Sequence, residues 1–120
     1  MTLPVIKAFS VRPGTNAQSL ARILQAYQDC VELFLLDTWH PELAGGTGKS
    51  FEWNVAKELA VDFPIVLAGG LNPSNVKQAV QAASPWGLDI SSGLEHAPGE
   101  KDFDLVTDFF DSIAKISLDL

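Results

Sequence analysis

Four short apolar runs, each followed by an amphipathic stretch, limit what this chain can fold into. The runs are Val5-Ile6-Lys7-Ala8-Phe9, Leu33-Phe34-Leu35-Leu36-Asp37, Ile65-Val66-Leu67-Ala68 and Leu88-Asp89-Ile90-Ser91. They are nearly continuous instead of alternating, as expected of parallel strands buried on both faces. The segments between them have helical spacing. Thr15-Asn16-Ala17-Gln18 matches a capping box ahead of a stripe of Leu20, Ile23, Leu24 and Tyr27. Ser50 is placed to cap a second helix with Phe51, Val55 and Leu59 on one face. Asn72-Pro73 opens a third, with proline where a missing N–H costs nothing, followed by Val76, Ala79, Val80 and Ala83. Asp102 caps a fourth that carries Leu105, Val106, Phe109, Phe110 and Ile113.

The runs start at 5, 33, 65 and 88, and so lie 28, 32 and 23 residues apart. Each interval has room for a right-handed crossover helix. An open doubly wound sheet and a (β/α)8 barrel are both built from this unit. A full barrel takes about 250 residues, and this chain has 120. The expectation is one α/β domain over residues 1–120, with four βα units, as many as half a barrel holds.

Composition narrows the functions. Eight Lys+Arg against fifteen Asp+Glu give a net charge of −7, which argues against nucleic-acid binding. An acidic chain can still bind a phosphate locally through backbone N–H groups. One cysteine excludes an intramolecular disulfide framework and fits a reducing compartment. No apolar run approaches the roughly 18–20 residues of a membrane span. The start MTLPVIKAF lacks the basic opening of a signal peptide. A cytoplasmic domain without membrane partners is expected.

The glycines cluster. Gly45, Gly46 and Gly48 follow the second strand, Gly69 and Gly70 the third, and Gly93 the fourth. All fall at the C-terminal ends of strands, where α/β folds place their active sites. Glycine there permits close backbone approach to an anion, although any one cluster is also what an ordinary turn contains. Gly48-Lys49-Ser50 resembles the end of a P-loop, but that motif needs glycine where Leu43 stands. No G-x-G-x-x-G follows a strand either.

Asp37 ends an apolar strand, where a buried carboxyl needs a reason. Two readings stay open: a carboxylic acid tuned toward neutrality for general-acid work, or a carboxylate paired with a lysine or a helix N-terminus. Asp89 is either half of an interior ion pair or turned toward a ligand, and for Lys7 the ion pair is the expectation. Cys30 precedes the second strand, opposite the glycine rim, and reads as a packed residue. His40 and His96 have no Cys or His partners at ligand spacing, so no metal site is expected. Trp39, Trp53 and Trp86 read as packing residues.

Several motifs resemble those of the phosphoribosylanthranilate isomerase family, a tryptophan-pathway barrel enzyme. Leu35-Leu36-Asp37-Thr38 and Gly45-Gly46-Thr47-Gly48-Lys49-Ser50-Phe51-Glu52-Trp53 resemble its LLDT…GGTGKTFDW run. Leu67-Ala68-Gly69-Gly70-Leu71-Asn72-Pro73-Ser74-Asn75-Val76 resembles its L-[SA]-GGLNPENV segment. Leu88 to Glu95, with Pro98-Gly99-Glu100-Lys101-Asp102, resembles VDVSSGVE…PGKKD. Val5-Ile6-Lys7-Ala8 resembles its fifth strand.

The resemblance implies a (βα)4 half of a (β/α)8 TIM barrel, the C-terminal half holding strands five to eight. It implies an Amadori isomerisation of N-(5-phosphoribosyl)anthranilate, a sugar-phosphate substrate, with Asp37 as general acid. Gly69, Gly70, Ser91, Ser92 and Gly93 would hold the phosphate. Gly45, Gly46, Gly48 and Asp89 would contact substrate, the 45–49 loop covering it. No cofactor is implied. The family's first-strand cysteine base and its N-terminal arginine have no counterpart here. The chain is therefore expected to be inactive alone and to associate, as a homodimer or with the missing N-terminal half. The alternatives are a non-catalytic, self-associating half-barrel and a phosphate-binding domain with a flavodoxin-like sheet.

Overall fold

A computed structural model describes residues 3–12, 14–37 and 48–118. The elements alternate: β1 (Ile6–Ser10), α1 (Ala17–Tyr27), β2 (Leu33–Asp37), α2 (Gly48–Ala60), β3 (Ile65–Ala68), α3 (Val76–Ala83) and β4 (Gly87–Leu88). A 3-10 turn (Ser92–Leu94), a ribbon of β5 (Glu95–Ala97) and β6 (Glu100–Lys101), and α4 (Phe103–Leu118) follow. The first four strands form one parallel sheet in the order β1-β2-β3-β4, and β5 pairs with β6 antiparallel.

Sequential order decides between the two architectures that the repeat allowed. Right-handed crossovers between neighbouring strands place every helix on the same side, whereas a flavodoxin-like sheet needs a strand order that reverses. This sheet has no reversal, so the flavodoxin-like alternative is not what the chain forms. The packing agrees. Leu20 and Leu24 of α1, Ala56 and Leu59 of α2, and Ala79 and Ala83 of α3 share one core with Phe34, Leu36, Ile65 and Leu67. Phe109 of α4 forms a second cluster with Val76 and Leu94, against Leu88.

Register then assigns the opposite face. Ala8 pairs with Leu35, and Leu35 with Val66, so these three share the side away from the helices. Ile6, Leu33, Asp37 and Ala68 lie there too, by the alternation of a pleated strand. Ile6 on edge strand β1 is 55% exposed. The β1 and β2 runs are thus more deeply covered on the helix side, whereas β3 is buried on both faces, as its continuity suggested.

Parity also places individual side chains. Phe34 and Phe9 point toward the helices and not onto the open face; Phe34 is fully buried, with ring centroids 6.4 Å from Phe9 and 5.6 Å from Phe63. Lys7 lies on the same side, where its ammonium sits 5.5 Å from the ring centroids of both Phe9 and Tyr27 in place of the expected ion pair. A cation over aromatic faces is weakly attractive and keeps its solvent.

The helix starts are local chemistry, shifted by a few residues. Asn16 caps α1 by accepting from Ser19 N–H at 3.1 Å, while Thr15 closes a turn with Arg12 instead. α2 begins at Gly48, so Ser50 lies within its first turn and does not cap it. Asn72 Oδ1 accepts from the N–H groups of Ser74 and Asn75, forming a turn, and regular helix starts only at Val76. Asp102 caps α4 through bonds from Asp104 and Leu105 N–H, as expected.

Candidate functional site

The C-terminal end of β2 and the loops that leave β3 and β4 open onto one cleft of about 300 Å³. Asp37, Gly69, Gly70, Asp89, Ser91, Ser92 and Gly93 line it, and Ala68, Leu71 and Ile90 complete its wall. Asp37 reaches this rim because it is the last residue of β2, in register with Ser10 on one side and Ala68 on the other. It is exposed, not buried as a carboxyl inside an apolar strand would be. Its case therefore rests on position. Asp89 also departs from expectation: β4 ends at Leu88, so Asp89 is exposed beyond the ladder, tied to it by its N–H to Leu67 O at 2.9 Å.

Gly69 and Gly70 turn the chain at φ of 99° and 67°, values that side chains disfavour. Consecutive peptides in such a turn can direct N–H groups into one concavity. Gly93 has a different requirement. A Cβ there would stand 1.8 Å from Leu71 O and 3.1 Å from Asn72 Cα. The two turns meet backbone to backbone, and only a residue without a side chain fits between them.

Side chains outside the cleft brace both turns. Asn75 Nδ2 donates to Gly70 O at 2.9 Å, and its Oδ1 accepts from Asn72 N–H at 2.8 Å. Lys101 Nζ donates to Ser91 O at 3.2 Å and forms a short ion pair with Glu95. Glu95 Oε1 accepts from Gly99 N–H at 3.1 Å, which closes the β5–β6 ribbon on itself. His96 Nε2 lies 3.0 Å from Glu100 on the exposed side.

Asn75, Glu95 and Lys101 stood inside quoted motifs without a role. Nothing in their spacing announces that they bond these carbonyls. Gly45 and Gly46 lie outside the described residues, and Gly48 with Lys49 starts α2 where a continuous 45–49 loop was expected.

The hydrogen bond from Lys101, then that from Gly99 N–H, holds the Glu95 carboxyl below the usual carboxylate range, against a small opposing effect of burial. A lowered folded-state value gives stability that is complete above the ordinary carboxylate range and is lost as pH falls through the lowered value. The ribbon's Gly99 amide resonance is expected to titrate with a midpoint below that of an unperturbed glutamate. An NMR titration checks this, against the neighbouring titrations of His96, Glu100 and Asp102. A midpoint at or above the usual range would contradict it.

The profile of the family described as PRAI, N-(5'phosphoribosyl)anthranilate (PRA) isomerase, matches residues 1–112. An N-(5'-phosphoribosyl)anthranilate isomerase of Synechococcus sp. (strain JA-2-3B'a(2-13)) is 46% identical over 105 residues, 84% of this chain and 43% of that protein. Among solved structures, phosphoribosyl anthranilate isomerase from Thermotoga maritima superposes with a TM-score of 0.73 at 38% identity. The match covers 94% of this chain and 52% of that one. A phosphoribosyl anthranilate isomerase in complex with reduced 1-(o-carboxyphenylamino)-1-deoxyribulose 5-phosphate gives 0.70 at 32% identity, covering 94% and 50%. The chain spans about half the length of the relatives it matches.

Proposed function

Because the chain belongs to the N-(5'-phosphoribosyl)anthranilate isomerase family, we propose that it carries the acid and phosphate-binding side of that isomerase's active site, in tryptophan biosynthesis. The observation behind this is a single cleft that brings one carboxyl at the end of β2 together with two glycine turns after β3 and β4. The sequential, one-sided sheet and the order of the matching motifs support reading the four units as half of a (β/α)8 barrel, strands five to eight. The single cysteine supports a reducing, cytoplasmic setting.

In the proposed reaction Asp37 protonates the furanose ring oxygen of N-(5-phosphoribosyl)anthranilate, and the ring opens to a Schiff base. A base removes the C2 proton, and the enolamine tautomerises to the ketone of the 1-deoxyribulose phosphate product. N–H groups of the Gly69–Gly70 and Ser91–Gly93 turns hold the phosphate, as loops after the seventh and eighth barrel strands often do. Asp89, which lines the same cleft, contacts the substrate. Gly45, Gly46 and Gly48 are proposed to cover it. Cys30 is exposed, not packed as its sequence context suggested, and it does not act as the base: it follows α1 at the N-terminal end of β2, a strand's length from Asp37. The base comes from another chain or segment.

Both sheet edges carry apolar surface that such a partner would cover. Leu3 and Val5 precede β1 and are exposed, and Ile6 continues them. Beside β4, a groove of about 710 Å³ runs between Trp86, Leu88, Phe109, Phe110 and Ile113. Unpaired strand edges flanked by apolar side chains favour association, and two copies hold enough parallel strands to close a barrel. Residues 1–120 are expected to form a homodimer, or to pair with an N-terminal half where one is supplied. Light scattering at a constant 12.9 kDa across micromolar concentrations would contradict association.

The deciding experiment is an isomerase assay with this chain alone and then mixed with a separately made N-terminal half of a family member. Activity is expected only in the mixture. Turnover by the isolated chain would overturn the assignment of the base to a partner. A mixture that associates and binds substrate without turnover would overturn the isomerase reading.

A further inference from the structure

We infer that Asn75 and Lys101 are positioning residues for anion binding, each holding one backbone carbonyl of a glycine-serine turn away from the cleft so that the next N–H faces a phosphate. The inference rests on the proposed phosphate role of the cleft.

The cleft is lined by two carboxyl-bearing residues, Asp37 and Asp89, and by no lysine or arginine among the described residues. A phosphate there is held by neutral N–H dipoles, which makes their direction decisive. In a planar trans peptide the C=O and the following N–H point in opposite directions. Rotating one such unit replaces a donor with a carbonyl oxygen, and attraction with repulsion. Glycines at positive φ resist that rotation little, since no side chain blocks alternative conformations.

Each turn has an outside anchor. The Gly70 carbonyl accepts from Asn75 Nδ2, behind the turn, so the Leu71 N–H is directed toward the cleft that Leu71 lines. Asn75 is itself fixed by Asn72, which donates to its Oδ1 while accepting the Asn75 N–H on its own side chain. The Ser91 carbonyl accepts from Lys101 Nζ at 3.2 Å and from Leu94 N–H at 3.1 Å, which directs the Ser92 N–H the other way. Glu95 forms an ion pair with the same ammonium and so holds it in place. Gly93, seated on Leu71 O, transmits the position of one turn to the other. Neither Asn75 nor Lys101 lines the cleft, so each acts through the backbone it holds.

The test titrates D-ribose 5-phosphate into the ¹⁵N-labelled chain and follows the Leu71 and Ser92 amides. Both are expected to shift saturably in the wild type. Asn75→Ala and Lys101→Met are each expected to weaken binding about three- to tenfold, the worth of one net hydrogen bond. Lys101→Arg is expected to restore affinity to within about twofold, since it retains the donor. The loss in Lys101→Met is expected to persist in 0.5 M salt, where a long-range charge effect would be screened. Lys101 is half exposed, so its variants test the inference even where Asn75→Ala unfolds, and thermal melting identifies that case.

No amide shift in the wild type would remove the phosphate reading and this inference together. Wild-type binding with Lys101→Met unchanged, or a loss that vanishes at high salt, would overturn the positioning role alone.

Discussion

Asp37→Asn is expected to lower kcat roughly 10²- to 10⁴-fold in any assembly where this chain supports turnover, the usual worth of a general acid. A carboxamide keeps the size and most of the polarity of the side chain but has no acidic proton to give. The position supports the assignment. Asp37 is the final residue of β2 and lines the same cleft as the turns proposed to hold the phosphate. The change should fall on kcat with little effect on KM, because the phosphate contacts remain. Steady-state kinetics of the complemented enzyme decide the matter. An unchanged kcat would shift the proton donor elsewhere, first to Asp89 on the same wall.

Gly93→Ala is expected to destabilise the fold by about 1–3 kcal/mol, the usual cost of overpacking, and to weaken binding of sugar phosphates as well. The added methyl would sit 1.8 Å from Leu71 O. A backbone carbonyl cannot swing aside as a flexible side chain can, so one of the two turns must move. Gly87→Ala provides the comparison. Its Cβ would meet only Val66 Cγ2 at 3.7 Å, an ordinary contact, and a small effect is expected. Urea unfolding measures the first quantity and calorimetry with D-ribose 5-phosphate the second. Equal stability for Gly93→Ala and wild type would contradict the backbone contact.

The glycine rim was visible in the sequence because three clusters each follow an apolar run, and two of them now line one cleft. The exposure of Asp37 was not visible. A carboxyl at the end of Leu33-Phe34-Leu35-Leu36 reads as buried until the sheet's open face is known. The β5–β6 ribbon was missed altogether, being two short strands without an alternating pattern.

Interactions over a few residues were legible in the chain alone: strand runs, helix periods, the Asp102 cap and the placing of glycine at strand ends. These follow from side-chain spacing and local hydrogen bonding, and they fix four βα units in order. Tertiary structure decided the rest. Strand order put every helix on one face and left the other open, which turned Phe34 inward among the helices and Asp37 outward into the cleft. The parallel pairing of β3 with β4 likewise brought Gly93 onto Leu71, and the antiparallel β5–β6 ribbon carried Lys101 back to Ser91. Such contacts depend on how separate units pack, and a spacing along the chain holds no record of which backbone atoms will face each other across a sheet.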